Sequence, residues 1–224
     1  MEHQIGRRAW LSATGLALAT INGNVAAQTA PKTRTLLAIN TSPRKGRTTS
    51  AGLAACLQAA REQDSTLQTE LIELGDLNIP AYIAAGIPLK PGDTDDFPEI
   101  AKKLSAPEVV AIIVGSPVYF GNMSALCKTF LERCYTLRKD GFKWSGKLAG
   151  ALAVGSTRNG GQELTVQSIH TSLMGQDMLI TGTGQPSVRI GATLWNQNDS
   201  IAEDEFGLST ARDLGKRLAT LAGR

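Results

Sequence analysis

The sequence feature that most constrains the fold is a buried strand that runs directly into a turn and then a helix. The apolar run 109–114 (VVAIIV) is followed by the turn 115–124 (GSPVYFGNMS) and by an amphipathic segment over 125–137. A strand that breaks into a Gly/Pro turn and opens a helix is typical of the ligand-binding edge of a parallel α/β sheet. Three side chains of the turn are large for a connector: Tyr119, Phe120 and Met123. They suit a wall against a flat ligand.

Alternating strand and helix patterns run along the rest of the chain. Short apolar or alternating runs predict strands over 35–40, 67–74, 109–114, 148–154 and 178–181. Helical periodicity predicts helices over 48–63, 98–104, 124–137, 162–173 and 203–221. Strands and helices in this order predict an α/β fold: a flavodoxin-like, doubly wound, five-stranded parallel sheet, order 2-1-3-4-5, with helices on both faces.

Composition is that of a soluble globular protein, with 42% hydrophobic and 19% charged residues in 224. The net charge of +3 is too small to indicate nucleic-acid binding. No apolar run reaches the roughly 20 residues of a transmembrane helix. The three cysteines form no CxxC pattern, so we predict neither a disulfide framework nor a metal site and expect all three to be buried: Cys56, Cys127 and Cys134.

The N-terminal segment has the order of a signal peptide. Arg7 and Arg8 precede a mildly apolar run over 11–21, and the small residues 25–27 (VAA) form a cleavage pattern. The adjacent arginines resemble the twin-arginine export signal, whose cargo crosses the membrane folded. We therefore expect a signal peptide over 1–27 and periplasmic localisation; the alternative is an ordinary extension on a cytoplasmic protein. Residues 28–34 are predicted as a flexible lead-in and 35–224 as the folded domain.

The turn after the first predicted strand has the composition of an anion site. Residues 41–50 (TSPRKGRTTS) hold three cations, several hydroxyls and no acid, and a helix begins near Thr48. Free amides and the dipole at a helix N-terminus attract anions, and a phosphate monoester fits this donor set. The GxxxxGK[ST] pattern is absent, which argues against a nucleoside triphosphate. The alternative is a capped helix with solvated cations. The candidate phosphate ligands are Ser42, Arg44, Gly46, Thr48, Thr49 and Ser50.

The turn at 115–124 can supply what an isoalloxazine ring needs, namely a flat apolar face and backbone polar groups. Gly115 and Gly121 permit close backbone approach, and Asn122 offers an amide. The alternative is a turn that only packs against the core. The candidate ring-binding residues are Pro117, Val118, Tyr119, Phe120, Gly121, Asn122 and Met123.

A third turn, 155–162 (GSTRNGGQ), follows the predicted strand 148–154 and opens another helix. Its hydroxyls, amide and glycines suit a ring edge or a ribityl chain, although Gly-rich turns are common. The candidate residues are Ser156, Thr157, Arg158, Asn159, Gly160 and Gly161. The carboxyl ends of parallel strands meet at one edge of a sheet, so the three turns together predict a flavin site.

These motifs resemble the NAD(P)H-dependent FMN reductases of the flavodoxin superfamily, and among them the NAD(P)H:quinone oxidoreductases of the WrbA type. The resemblance is carried by Ser42-Pro43-Arg44 with Gly46, by 115–133 and by 156–163. It implies tightly bound FMN, with its phosphate at 42–50 and its ring between 117–123 and 156–161. It further implies NAD(P)H as a transient co-substrate, a quinone-like acceptor, no catalytic side chain, and a homodimer or homotetramer.

The sequence also departs from that group. A His-His-Gly-Met stretch is replaced by 175–178 (GQDM), and the lone His170 is not expected to substitute for it. The cysteine cluster of the iron–sulfur relatives is missing. The link 182–202 does not match the pattern of the group, and we expect it either to cover the site or to mediate subunit contacts. Two rival functions stay open: an FMN-binding electron carrier without substrate turnover, and a scaffold that has lost its flavin.

Overall fold

The computed structural model describes residues 33–224, in which strands and helices alternate. The strands are β1 (Arg34–Asn40), β2 (Leu67–Glu73), β3 (Val109–Tyr119), β4 (Asn122–Met123), β5 (Leu148–Gly155), β6 (Leu179–Ile180) and β7 (Ala192–Trp195). The helices are α1 (Thr48–Gln63), α2 (Phe97–Leu104), α3 (Ala125–Arg133), α4 (Tyr135–Lys139), α5 (Gln162–Met174) and α6 (Glu205–Ala222), with a short 3-10 helix over Ala81–Ala85. Local periodicity was sufficient to place α1, whose bounds match the prediction.

The sheet has the predicted order, with one change at its edge. β2, β1, β3 and β5 lie side by side and pair in parallel. The fifth position is shared by two segments, because β6 pairs with Leu148 and Ala149 while β7 pairs with the stretch from Leu152 to Gly155. The predicted strand 178–181 is therefore only part of this position: it corresponds to β6, and the link 182–202 contributes a second strand, β7. Between β6 and β7 the chain leaves the edge of the sheet as a loop. The two ends of this loop are joined by a hydrogen bond from Thr183 N to Arg189 O at 2.9 Å.

The segment 115–124 is not a free turn, as the sequence predicted, but an extension of β3 followed by a hairpin. β3 continues to Tyr119 because β5 is long enough to pair with it: Ser116 lies opposite Ala153 and Pro117 opposite Val154. The chain then reverses at Phe120 and Gly121 and returns as β4. The extension carries the hairpin beyond the edge of the main sheet.

The predicted helix 124–137 is interrupted. α3 ends at Arg133, and α4 begins at Tyr135. The following link, over residues 140–147, is anchored in the core by Trp144, which is fully buried and donates its indole N–H to Leu104 O at 3.0 Å. A buried tryptophan whose indole N–H is hydrogen-bonded can fix the position of a loop. Trp144 therefore orders this link, although the composition of the link is polar.

The core consists of two layers, one on each face of the sheet, as alternation along β1 illustrates. Leu37 and Ile39 belong to the layer that α2, α3 and α5 cover. Leu36 and Ala38 belong to the layer beneath α1 and α6. Side chains alternate across a strand, so a parallel sheet with two apolar faces needs helices on both.

No helix within residues 33–224 is long and apolar enough to cross a membrane. The predicted signal peptide, 1–27, lies outside the described residues, as does most of the lead-in.

Candidate functional site

A buried polar network ties the first predicted loop to the base of the hairpin. Thr41 donates its hydroxyl to Gly115 O at 2.7 Å, and Ser124 donates to Thr41 O at 2.8 Å. The Ser124 N–H donates to the hydroxyl of Ser116 at 2.9 Å, while the Ser124 hydroxyl caps α3 by accepting from Cys127 N. The three hydroxyls and the Ser124 N–H all have hydrogen-bond partners, so this network can fix the first loop relative to the base of the hairpin. The sequence analysis missed it, although a serine directly before a helix is a recognisable N-cap signal.

The cations of the first loop all have carboxylate partners from elsewhere in the chain. Arg44 and Arg47 both contact Asp199, with nitrogen-to-oxygen distances of 3.0 and 3.1 Å to its two oxygens. Lys45 contacts Asp76 at 2.8 Å. The sequence of 41–50 contains no acid, and the tertiary structure supplies one to each cation.

The start of α1 places hydroxyls and unpaired helical amides together. Thr48 and Thr49 are buried at the first turn, and the first helical hydrogen bond of this end runs from Ala51 N to Arg47 O. The preceding amides have no carbonyl within the helix and are available to an anion. Ser50 differs from its neighbours, since its hydroxyl donates to Glu73, whose second oxygen accepts from Asn40 at 2.6 Å.

The hairpin presents its tip to solvent. Val118 lies opposite Met123 and Tyr119 opposite Asn122, with Phe120 and Gly121 as the two turn residues. Both turn residues have left-handed backbones, φ 51° and 73°. Phe120 is fully exposed and Tyr119 partly exposed, whereas Val118 and Met123 pack against the core. Tyr119 and Phe120 are thus the apolar side chains most free to cover a ligand, while the half-buried Met123 lines a cavity of about 490 Å³ beside the start of α3.

The third loop is held by Gln162, the first residue of α5. Its side-chain amide donates to Thr157 O at 2.6 Å and to Leu194 O at 3.2 Å, and its carbonyl accepts from Gly160 N at 2.8 Å. Gln162 is buried, so one side chain joins the loop to β7. The sequence analysis placed Gln162 at the end of the motif but gave it no role.

The second and third loops meet at two glycines. A Cβ built on Gly161, whose φ is +100°, would lie 2.8 Å from the Cα of Gly121. The hairpin tip and the third loop therefore touch, as expected if they flank one ligand.

Arg158 is directed toward a structural network. Its guanidinium pairs with the carboxylate of Asp204, which is buried and also accepts from Trp195 N and Gly207 N at 2.6 and 2.9 Å. The same guanidinium lies 5.9 Å from the ring centre of Phe206. It lines a cavity of about 530 Å³ between the starts of α5 and α6.

The remaining residues fit a flavin mononucleotide at this edge. The N-terminus of α1 offers amides and hydroxyls to a phosphate, and the hairpin offers backbone groups and exposed aromatic side chains. Asn196, just after β7, is anchored by its N–H to Gly155 O at 2.8 Å, and its side-chain oxygen is buried without a hydrogen-bond partner. Such an atom is costly unless a donor such as a ribityl hydroxyl reaches it.

The structure brings most predicted site residues to this edge, at the ends of β1, β3 and β5. Three of the predicted ligands are paired with carboxylates from elsewhere in the chain: Arg44 with Asp199, Ser50 with Glu73 and Arg158 with Asp204. Their roles toward a flavin, like those of the whole set, stay predictions.

The cysteines are not arranged as cluster ligands. Cys56 is buried in the layer beneath α1 and α6, whereas Cys127 and Cys134 are buried in the layer on the opposite face. All three thiols are free and buried, which confirms the prediction that they pack as small apolar residues, and this burial raises the pKa of each thiol. Within residues 33–224, no group of three or more His, Cys, Asp or Glu side chains is placed to hold a metal ion.

The family model for the NADPH-dependent FMN reductases matches residues 34–193, which include all three loops. The chain belongs to this family. FMN and NAD(P)H, predicted as cofactor and co-substrate, are confirmed by this membership.

This FMN reductase family member is also similar, in sequence or in fold, to individual known proteins. It is 37% identical over 188 residues to an iron-sulfur flavoprotein of Methanocaldococcus jannaschii, covering 82% of the chain and 95% of the relative. It is 36% identical over 174 residues to an NAD(P)H dehydrogenase (quinone) of Chromohalobacter salexigens, covering 70% and 83%. A WrbA-like flavodoxin from Agrobacterium tumefaciens shares the fold, with a TM-score of 0.55 at 20% identity over 85% and 98% of the two chains.

The similarity to iron-sulfur flavoproteins does not extend to a set of converging cysteines here. With one thiol on one face of the sheet and two on the other, the three residues of this FMN reductase family member cannot reach a common centre without refolding.

Proposed function

We propose that the protein is an FMN-dependent oxidoreductase that takes a hydride from NAD(P)H and passes two electrons to a quinone or a similar small acceptor. The observation that carries the proposal is the convergence of the loops after β1, β3 and β5. Gly161 lies against Gly121, and Ser124 is hydrogen-bonded to Thr41, so the three loops contact one another at one edge of the sheet. Family membership identifies the chemistry that this edge serves.

FMN, when bound, supplies the hydride-accepting and electron-donating chemistry. The chain binds and orients it. The amides at the start of α1 and the hydroxyls of Thr48 and Thr49 hold the phosphate, while the hairpin and the third loop flank the ring. Tyr119 and Phe120 shield the ring from water. Reduction of a quinone to a hydroquinone takes two electrons and two protons. The hydride of NAD(P)H supplies both electrons and one proton, and water supplies the second proton, so no side chain is assigned a proton transfer.

The acceptor and the assembly belong to the proposal as well. A quinone is favoured because the Chromohalobacter relative carries that activity in its name. A homodimer or homotetramer is favoured because large apolar side chains are exposed at the end of α5 and on β6, away from the three loops, among them Met174 and Leu179. Light scattering of the purified protein would measure its oligomeric state.

An electron carrier that binds FMN without turnover is the alternative. Carriers rely on a strongly charged surface to dock with partners, and this chain has a net charge of only +3. Export would place the protein away from the cytoplasmic nicotinamide pool, in which case another electron donor serves it.

The visible spectrum of the purified protein, followed by addition of NADH or NADPH and then of a quinone, tests the proposal. We expect a flavin band near about 450 nm that bleaches with the nucleotide and returns with the quinone, and continuous nucleotide oxidation in the presence of both. A flavin band without turnover would identify a carrier. A protein that stays colourless after mixing with FMN would identify a scaffold without flavin.

A further inference from the structure

The turn after β7 brings an acidic residue onto the predicted phosphate loop. Gln197 and Ser200 pair with each other through both backbone hydrogen bonds, at 2.8 and 3.0 Å, so Asn198 and Asp199 form a two-residue turn. Both have left-handed backbones, φ 50° and 62°, a conformation that Asn and Asp tolerate best after Gly. The turn is anchored to the third loop, because the Trp195 indole N–H donates to Ser156 O at 3.1 Å. Its geometry is therefore set by the same edge that forms the site.

Asp199 makes the contacts that a phosphate group makes with arginines. One of its oxygens lies 3.0 Å from Arg44 Nη1, and the other lies 3.1 Å from Arg47 Nη1. Guanidinium nitrogens donate to phosphate oxygens as they do to carboxylate oxygens, so a carboxylate on both arginines occupies donors that a phosphate can use. No other acidic side chain within residues 33–224 forms an ion pair with either arginine. The carboxylate thus uses the donors that a phosphate in this loop needs.

The contact is open enough for exchange. The side chains of Asp199, Arg44 and Arg47 are 35%, 52% and 59% exposed, so the ion pairs are screened and weak. A cavity of about 340 Å³ lies beside them, lined by Arg47, Thr48 and Asp199 among others. A phosphate at the N-terminus of α1 has room to approach the same guanidiniums.

We propose that Asp199 is an internal counter-anion that competes with the FMN phosphate for Arg44 and Arg47 and so sets how strongly the site prefers FMN to an unphosphorylated flavin. This inference rests on the proposed placement of the phosphate at 42–50. A bound phosphate carries nearly two negative charges at neutral pH. A carboxylate on the same arginines occupies their N–H donors and also repels the phosphate. Removing the carboxylate charge raises the affinity for FMN and leaves the affinity for riboflavin unchanged.

The test compares FMN and riboflavin binding by flavin fluorescence quenching in flavin-stripped wild type, Asp199→Asn and Asp140→Asn. Asp140 is an exposed acid at the end of α4, so its variant matches the change in net charge at a distance. We expect Asp199→Asn to bind FMN about three- to tenfold more tightly, with riboflavin and Asp140→Asn unaffected. The gain should shrink in about 0.5 M salt, because the contacts are exposed. Equal thermal unfolding of the variants shows that the fold is intact.

A variant that lacks both arginines tests whether Asp199 acts through them. In Arg44→Gln/Arg47→Gln, the further change Asp199→Asn should leave FMN affinity unaltered, because the contested donors are gone. Unchanged or weaker FMN binding by Asp199→Asn alone would overturn the inference and make Asp199 a residue that positions the arginines. If FMN binds no more tightly than riboflavin to any variant, the phosphate site at 42–50 is wrong and the proposed function loses its binding site. If FMN binds tightly and with equal affinity to the wild type and to Asp199→Asn, only the proposed role of Asp199 is refuted, and the phosphate site stands.

Discussion

Gly161 shows how strictly single residues are constrained at the site. Its φ of +100° is a conformation that other residues rarely adopt, and a Cβ there would lie 2.8 Å from the Cα of Gly121. Two backbones thus approach each other directly, with no side chain between them. The sequence analysis predicted glycines for close approach at this edge, but the partner of that approach is another loop of the protein.

Replacing Gly161 with Ala should therefore disturb flavin binding as well as stability. We expect a loss of about 1–3 kcal/mol in the free energy of unfolding, from backbone strain and the clash with Gly121, and FMN binding weakened by about tenfold. Urea unfolding and fluorescence titration measure the two effects. Gly86→Ala is the matched control, since Gly86 also has a positive φ, +80°, but nothing lies within 4 Å of a Cβ there. Equal FMN affinities in the two variants would show that the contact between the loops does not shape the site.

At the scale of elements, α5 joins the site to the core. Its first residue braces the third loop, and its buried face carries His170, whose Nε2 is buried without a hydrogen-bond partner. Burial lowers the pKa of His170 from 6.5 to about 4, so the imidazole is neutral at physiological pH. The histidine thus belongs to the packing of α5, in agreement with the expectation that it does not replace a flavin-side histidine.

The buried imidazole makes stability depend on pH. The unfolded chain takes up a proton on this residue near pH 6.5 and the folded chain only near pH 4, so stability is lost as pH falls between these values. The contribution reaches about 3 kcal/mol. Urea unfolding of the wild type and of His170→Gln from pH 7 to pH 4 measures it, because carboxylates titrate in both proteins and cancel in the difference. Parallel pH profiles would contradict the prediction.

Elements differed in how well the sequence specified them. Helix α1 has its own periodicity and a turn on each side, and its predicted bounds were correct. The fifth strand position could not be predicted from local pattern. It is filled by Leu179–Ile180 and, after an excursion, by Ala192–Trp195, and segments this short carry too little periodicity to be recognised before their pairing with β5 is known.

At the scale of the whole molecule, an α/β domain with helices on both faces of its sheet follows, in the sequence, a segment with the pattern of an export signal. We propose that this segment directs the folded protein to the periplasm. Support comes from Arg7-Arg8, the apolar run and the small residues at 25–27. A protein that binds its flavin before export is suited to a route that carries folded cargo.

Changing Arg7 and Arg8 together to Lys should abolish export while keeping the charge of the segment. We expect the wild type in the periplasmic fraction with Gln28 as its first residue, and the Lys-Lys variant in the cytoplasm with residues 1–27 retained. Cell fractionation with N-terminal sequencing measures both. A wild type that stays cytoplasmic and uncleaved would favour an ordinary extension.

The sequence by itself determined the alternation of strands and helices, the two apolar faces of the sheet and the three motifs at strand ends, because each depends on residues close together in the chain. Only the tertiary structure decided the electrostatics of the site. The segment 41–50 has cations and no acid, yet the sheet order brings Asp199 and Asp76 to those cations and Glu73 to Ser50. Charges interact through space, so their balance at the phosphate loop depends on which distant strand ends the fold places beside it.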